Sequence, residues 1–374
     1  MFQRRNKETK AFLKGAHARK EVSMNKQEII GWLRCEDEEK LHDLWRRADS
    51  VRRDHVGNEV HLRGLLEISN ICARDCHYCG IRSGNDTLER YRMPDDEIMA
   101  CVHEAVDYRY GTVVLQAGED YGITREWMAG LVRRIKSETG LAVTLSLGER
   151  SDEDLVAWKE AGADRYLVRF ETSNRELYDR IHPPLPGIVS DRFALLRRLR
   201  EIGYEIGSGV MIGIPGQTWK DLADDIEAFR TLDLDMIGVG PFIPHQATPL
   251  GYGIDQLRAP EGEQVPNTEL MTYKVIALAR IACPNANIPS TTALATLNTP
   301  TGRELGLSRG ANIVMPNLTP KKYRAMYEIY PAKACIDETA ADCRACMHRR
   351  IISIGREVGS GHGDSPNRNK KRAA

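Results

Sequence analysis

Between residues 57 and 330 the sequence alternates between short β-rich runs and amphipathic helical stretches, a pattern that restricts the chain to a parallel sheet clothed in helices. The β-rich runs are Leu65–Ser69, Thr112–Gln116, Ala142–Leu147, Asp164–Arg169, Glu205–Gly213, Asp235–Gly240, Ile288–Thr292 and Asn312–Met315. A helix is predicted from Pro94, where Asp95, Asp96 and Glu97 follow a first-turn proline and Ile98, Val102, Ala105 and Val106 share one face. Others open at Thr124, with Leu131 and Ile135 inward, and at Ser151, with Asp154 three residues on. Further helical stretches fall near 174–181 and 191–202, after Thr218 and over 268–282. A doubly wound open sheet would alternate in the same way, so the count carries the assignment: eight repeats predict a closed α/β barrel of the (βα)8 TIM type.

Two helical patterns, about 25–34 and 37–54, precede the first strand. The expected organisation is a disordered basic tail (1–22), a helical segment (23–56), the barrel (57–330), a C-terminal segment (331–356) and a disordered Gly/polar tail (357–374). Lys+Arg and Asp+Glu both total 53, so no net charge steers the chain to nucleic acid or to a membrane. The two long uncharged stretches, Met236–Ile254 and Ile281–Gly302, are broken by proline and are not membrane spans. Residues 1–20 lack an apolar signal core. A cytoplasmic location is expected, with an organelle matrix as the alternative if those residues act as a transit segment.

Nine cysteines without an export signal point to a reducing compartment and to metal use. Three of them form a C-x3-C-x2-C loop, Cys72-Ala-Arg-Asp-Cys76-His-Tyr78-Cys79, directly after the first β run. A cubane of four irons needs four ligands, and this loop offers three, which leaves one iron open for a small molecule. A zinc loop or plain reduced thiols are the blander readings, and zinc would want a further Cys or His close by. A second trio is Cys335-x7-Cys343-x2-Cys346, while Cys35, Cys101 and Cys283 are isolated and read as small apolar residues. In a barrel, functional residues belong at the C-terminal ends of strands. The segments there are the cysteine loop, Gln116-Ala-Gly-Glu-Asp, Ser146-Leu-Gly-Glu, Arg169-Phe-Glu171-Thr172, Gly213-Ile-Pro-Gly-Gln217 and Gly240-Pro-Phe-Ile-Pro.

The cysteine loop, with an aromatic residue just before its last cysteine, resembles that of radical S-adenosylmethionine (SAM) enzymes. Segments from about residue 55 to 350 are similar to the HydE-type maturases of that superfamily, which help to build the active-site cluster of iron–iron hydrogenases. Among them are Val60-His-Leu-Arg63, Val114-Leu-Gln116-Ala-Gly-Glu-Asp120, Val143-Thr144-Leu-Ser146-Leu-Gly-Glu149, Gly238-Val-Gly-Pro-Phe-Ile-Pro-His245 and Asn287-Ile-Pro-Ser-Thr291-Thr292.

The resemblance implies that Cys72, Cys76 and Cys79 are catalytic and bind a 4Fe-4S cluster. It implies that Glu171 and Arg192 hold polar groups of SAM, and that Tyr78, Gln116, Ser146 and Met236 line its pocket. A short insertion around Pro183–Ile188 precedes Arg192. Arg63, Thr144, Arg169, Thr291, Thr292, Tyr327 and Tyr330 would form the substrate cavity, a set whose guanidinium and hydroxyl groups suit an anion. The implied substrate is a small cysteine-bound iron complex carrying carbonyl and cyanide. The implied partners are other hydrogenase maturases and an electron donor such as ferredoxin or flavodoxin. Cys335, Cys343 and Cys346 resemble an auxiliary site for a second iron–sulfur cluster, 2Fe-2S or 4Fe-4S. Methylornithine synthase-like and biotin synthase-like enzymes share the loop and barrel, and a non-enzymatic iron–sulfur scaffold is the reading of another class.

Overall fold

The computed structural model describes residues 24–253 and 257–368. The basic tail expected over 1–22, and residues 369–374 of the expected C-terminal tail, lie outside these. In chain order the described elements begin with α1 (Lys26–Arg34), α2 (Glu38–Val56), β1 (Glu59–Ser69), α3 (Asp95–Asp107), β2 (Thr112–Ala117), α4 (Arg125–Glu138) and β3 (Ala142–Ser146). The middle holds α5 (Asp152–Glu160), β4 (Arg165–Leu167), α6 (Arg175–Ile181), α7 (Arg192–Ile202), β5 (Glu205–Ile212), α8 (Trp219–Thr231) and β6 (Met236–Pro241). The remainder is α9 (Pro249–Tyr252), α10 (Glu269–Ala282), α11 (Thr292–Leu297), α12 (Gly302–Ser308), β7 (Ile313–Val314), α13 (Lys321–Arg324), α14 (Ala340–Ser353) and β8 (Glu357–Val358).

Helix starts are set locally. Side chains of Thr124, Ser151 and Thr218 accept hydrogen bonds from the amides of Trp127, Asp154 and Asp221, satisfying donors that the first turn leaves free. Pro94 sits one position earlier than expected, as the residue before α3, and its missing N–H costs nothing there.

Parallel pairing runs β6-β5-β4-β3-β2-β1-β7, with β8 added beside the start of β1. Strands β1 to β7 contribute buried apolar residues, as parallel sheets require; Val113, Leu115, Val143, Leu145, Ile206 and Val239 are all shielded between barrel interior and outer helices. The seventh expected strand, Ile288–Thr292, is not a strand. Pro289 has no N–H to offer a ladder, so the segment is held by separate bonds instead. Ile237 N donates to Asn287 O (2.9 Å), Asn312 N to Ile288 O (2.9 Å) and Ser290 N to Ile313 O (3.0 Å). These close the ring between β6 and β7 at the place where the strand was expected. The chain is thus a parallel TIM-type barrel whose last wall is irregular.

The expectation of a disordered tail fails for residues 357–368. β8 pairs in parallel with β1 (Glu59 with Glu357, Val60 with Val358), and the residues beyond it run beneath the barrel, with Ser365 and Asn367 buried. The Gly-rich composition that reads as disorder instead leaves backbone carbonyls open to buried arginines, as described below.

Candidate functional site

β1 ends at Ser69 and delivers the cysteine loop to the C-terminal mouth of the barrel. The loop is pinned from several sides. Ala73 N donates to Glu119 O (2.9 Å), His77 N to Ile181 O (2.8 Å) and Glu119 N to Cys72 Sγ (3.3 Å). Gly118 lies so close that a Cβ there would run into the Ile71 carbonyl and stand 2.8 Å from Cys72 Cβ. Glycine at this strand end is therefore a condition for seating the loop.

Cys72, Cys76 and Cys79 border one cavity of about 290 Å³ inside the barrel mouth, together with Tyr78, Gln116, Ser146, Arg169, Glu171 and Arg192. Tyr327 and Tyr330 close another side of it. A larger groove of about 1080 Å³ between α7 and α8 is bordered by charged residues such as Arg197, Lys220 and Asp224 and meets none of the thiols. The small, thiol-bearing cavity is the chemically relevant one.

Burial pushes the Cys76 thiol well up and that of Cys79 up to about 12, and it raises Cys72 as well. Without a metal the loop is therefore protonated, and metal binding must displace those protons. Among the described residues no three His, Cys, Asp or Glu side chains converge as ligands of a single ion. One ion needs its donors around one point at 2.0–2.6 Å, whereas a polynuclear cluster spaces its thiolates around a larger body. Three thiols facing one cavity, with polar groups beyond them, fit a 4Fe-4S cluster with a small molecule at its open corner.

Behind the thiols runs a buried chain of alternating charge. Arg74 Nε donates to Glu119 Oε1 (2.7 Å), Arg74 Nη2 pairs with Glu149 Oε2 (3.1 Å), and Arg192 Nε donates to Glu149 Oε1 (2.9 Å). Arg192 also donates to the Arg169 carbonyl, and its Nη2 stands 2.7 Å from His182 Nε2. Burial and the neighbouring cations Arg192 and Arg74 lower His182 to about 2, so it stays neutral and its Nε2 accepts from the guanidinium. Its ring stacks on Tyr178, with centroids 4.8 Å apart. Arg192, raised overall by Tyr178, Tyr78, Glu149 and Cys76 against the cost of burial, is a permanent cation in a fixed place.

Glu171 holds a left-handed backbone (φ 59), an unfavourable region for a residue with a long side chain. Its amide donates to Gly209 O (3.1 Å) and its carbonyl accepts from Met211 N (3.0 Å), so pairing to β5 enforces the conformation. Its carboxylate lies 3.2 Å from Arg169 Nη2, an ion pair without hydrogen-bond alignment, since the buried Oε2 has no hydrogen-bond partner.

The residues expected at the site do not all meet. Met236, Arg63 and Thr144 lie within the barrel wall and not on the cavity just described. Arg63 Nη1 touches Met236 Sδ (3.0 Å), and Thr144 Oγ1 is buried without a partner. Thr291 caps α11 through the Leu294 amide (3.4 Å), and the Thr292 carbonyl accepts from Thr296 Oγ1 (3.0 Å). Neither threonine borders the cavity, although the neighbouring Ala293 does. Gln116 Nε2 donates to Tyr327 Oη (3.2 Å), tying the end of β2 to the turn after α13. Arg74, Glu119, Glu149 and His182 were not singled out from sequence as site residues. The usable signal was the repeated Gly-Glu pair, Gly118-Glu119 and Gly148-Glu149, at two successive strand ends.

The second trio occupies a different setting. Cys343 and Cys346 lie on α14 and Cys335 precedes it in a left-handed backbone (φ 63). Arg303 Nη2 stands 3.9 Å from Cys335 Sγ, and Arg350 Nε donates to Cys346 Sγ (3.3 Å). A hydrogen bond from the Cys343 thiol, aided by Arg303, lowers Cys335 to about 6 and raises Cys343 in turn.

Comparison with known proteins agrees with this geometry. The Radical SAM superfamily family model matches residues 66–229. A [FeFe] hydrogenase maturase subunit HydE from Thermotoga maritima is 44% identical over 316 residues, covering 84% of this chain and 86% of the relative. A 3-methylornithine synthase from Methanosarcina acetivorans is 28% identical over 293 residues, covering 78% of this chain and 79% of the relative. Among solved structures, that of a methylornithine synthase (PylB) superposes with a TM-score of 0.76 over 94% of this chain and 96% of that one, at 24% identity.

Proposed function

Because the chain belongs to the HydE family of the radical SAM superfamily, a membership that implies a 4Fe-4S cluster and SAM, we propose that it is an iron–iron hydrogenase maturase. What carries this reading is that one cavity of about 290 Å³ receives three thiols from one loop, a buried cation from α7 and a strained carboxylate from the end of β4. Bound there, a reduced cluster and SAM supply one-electron cleavage of a sulfonium carbon–sulfur bond. Cys72, Cys76 and Cys79 would hold the cluster.

Arg192, held by Glu149 and His182, offers its remaining N–H groups to the SAM carboxylate, and Glu171 accepts from the amino group or ribose. Tyr78, Gln116 and Ser146 border the pocket, and Tyr327 and Tyr330 close it against water. Arg169 gives the substrate a guanidinium at the same mouth. Arg63, Thr144, Thr291 and Thr292, deeper or behind the wall, belong to the reading as a second, anion-suited tier, and Met236 as the outermost contact of the SAM pocket. The substrate in this reading is a small cysteine-bound iron complex with carbonyl and cyanide, exchanged with other hydrogenase maturases, and the reductant is a ferredoxin or flavodoxin in a cytoplasmic setting. Cys335, Cys343 and Cys346 would take a second iron–sulfur cluster. Among the described residues no helix is long and apolar enough to cross a membrane.

The test is anaerobic reconstitution with iron and sulfide, followed by SAM and dithionite. Release of 5′-deoxyadenosine and methionine is expected, whereas a cluster scaffold would release neither.

A further inference from the structure

The N-terminal ends of the strands, opposite the cysteine loop, are where a barrel could leak water into its interior. In this chain that end is occupied by its own C-terminal segment. Gly359 N donates to Val60 O at the start of β1 (2.9 Å). The His362 carbonyl accepts from Thr112 Oγ1 at the start of β2 (2.9 Å) and from Arg165 Nη2 at the start of β4 (3.0 Å). Asp364 pairs with the same Arg165, which is fully buried and also binds Glu205 of β5 (3.0 Å). The Gly363 carbonyl accepts from Arg63 Nη2 (2.9 Å) and Asn287 Nδ2 (3.0 Å), and Ser365 Oγ donates to Asn285 O (3.1 Å). The segment therefore touches the starts of β1, β2 and β4, the start of β5 through Ser365 N on Glu205 Oε2 (3.3 Å), and the irregular seventh wall.

These contacts answer a physical need. Arg63 and Arg165 are buried cations, and guanidinium donors buried without partners are strongly unfavourable. Arg63 has no carboxylate in ion-pair range among the described residues, and burial with the nearby Arg165 lowers it to about 9. Among the described residues the Gly363 carbonyl is its one backbone acceptor. Gly111 fits the same picture. Its backbone lies outside the left-handed region, yet a Cβ there would run into the Gly361 carbonyl. The glycine leaves room for the tail and for no other evident reason.

We propose that residues 359–365 form a resident plug that seals the N-terminal mouth of the barrel and fixes the Arg63 guanidinium through the Gly363 carbonyl. Arg63 matters to chemistry only under the function proposed above, whereas the plug itself stands independently of it.

Gly111→Ala in the full-length chain drives a wedge under the tail without altering a tail residue, and Asp364→Ala removes its one carboxylate anchor to Arg165. Gly130→Ala on α4, where an added Cβ meets nothing within 4 Å, is the control. Hydrogen–deuterium exchange read by mass spectrometry is expected to speed up in peptides covering 359–367 and 60–64 in both variants, at least tenfold for Gly111→Ala and less for Asp364→Ala, with the control unchanged. SAM affinity, a property of the opposite end, should stay within twofold of wild type and reports that the barrel is intact. If Gly111→Ala loses SAM binding altogether, Asp364→Ala decides alone. Unchanged exchange in the tail overturns the proposal, and so does a loosened tail above an interior that keeps its protection. Neither exchange result depends on whether SAM is cleaved, so failure of the maturase reading and failure of the plug are distinguishable.

Discussion

The two thiol trios use the same ligand chemistry in opposite surroundings. Cys72, Cys76 and Cys79 face a cavity, and the charges behind them form a continuous buried chain, Glu119–Arg74–Glu149–Arg192, that leads from the loop to the far wall. Cys335, Cys343 and Cys346 instead have guanidinium groups set directly on sulfur, with Arg303 near Cys335 and Arg350 on Cys346. Arg350 is itself paired to Glu304 (2.8 Å). A cavity beside the thiols gives a second molecule somewhere to bind. Cations on the thiols stabilise thiolate charge. The first arrangement suits catalysis, and the second suits holding a group that does not react.

The sharpest way to break this contrast is to remove one thiol from each trio. Cys76→Ser is expected to abolish SAM cleavage after anaerobic reconstitution, measured as 5′-deoxyadenosine by chromatography. Cys343→Ser should leave that cleavage within about twofold while the iron bound per chain falls. If Cys343→Ser were the silent-making change and Cys76→Ser the tolerated one, the assignment of open and closed sites would have to be exchanged.

A smaller effect tests the charge chain itself. Glu149→Gln keeps the shape of the side chain but removes the charge shared by Arg74 and Arg192. Arg192 then loses its orienting carboxylate while its cation remains. SAM should bind roughly 10- to 100-fold more weakly, about 1.4–2.8 kcal/mol, with cluster loading retained. Equal loss of cluster and SAM would instead make Glu149 a support of the cysteine loop.

These two regions also differ in how far they could be read in advance. Both trios were visible because their spacing is local: three thiols within a few residues must share a neighbourhood whatever the fold. The barrel was visible because periodicity is local too. Arg74, Glu149 and His182 become neighbours only when the loop after β1, the end of β3 and the end of α6 are brought together, and nothing in the segment around any one of them announces the others. The seventh strand was misread because an apolar β-rich run outweighed Pro289, whose missing N–H decided the pairing. The tail was misread for a related reason. Gly, Ser and Asn cannot build a core of their own, yet Arg63 and Arg165 needed acceptors, and the Gly363 and His362 carbonyls supplied them.

The last contrast concerns what acid does to each trio. Two residues beyond Glu171, which borders the first trio's cavity, Ser173 is held by Asp225, fully buried on α8. Its Oδ1 accepts from Ser173 N (2.5 Å) and Oγ (2.6 Å), and its Oδ2 from Gln217 Nε2 (3.2 Å), so it anchors the segment just after Glu171. Burial, with a further push from Asp221, raises its carboxyl to about 7 against the hydrogen bonds that favour the anion. In the unfolded chain the same group titrates near 3.9. Between those values the folded state holds the proton more tightly, so this group's contribution to stability is full below about pH 4 and is lost as pH rises to about 7. The swing is bounded by roughly 4 kcal/mol. Asp225→Asn cannot ionise and lacks the swing. Its stability relative to wild type should therefore improve from about pH 4 to about pH 7 and level off above that in chemical denaturation, whatever fixed cost the amide carries from facing Gln217. Cys335 of the second trio, lowered to about 6, titrates in the same window, but it is common to both members of a pair compared in a Cys343→Ser background, so the Asp225→Asn gap should follow the same pH dependence there. Parallel stability curves for Asp225→Asn and wild type would mean that the carboxylate stays ionised throughout, and that its hydrogen bonds from Ser173 and Gln217 outweigh the cost of its burial.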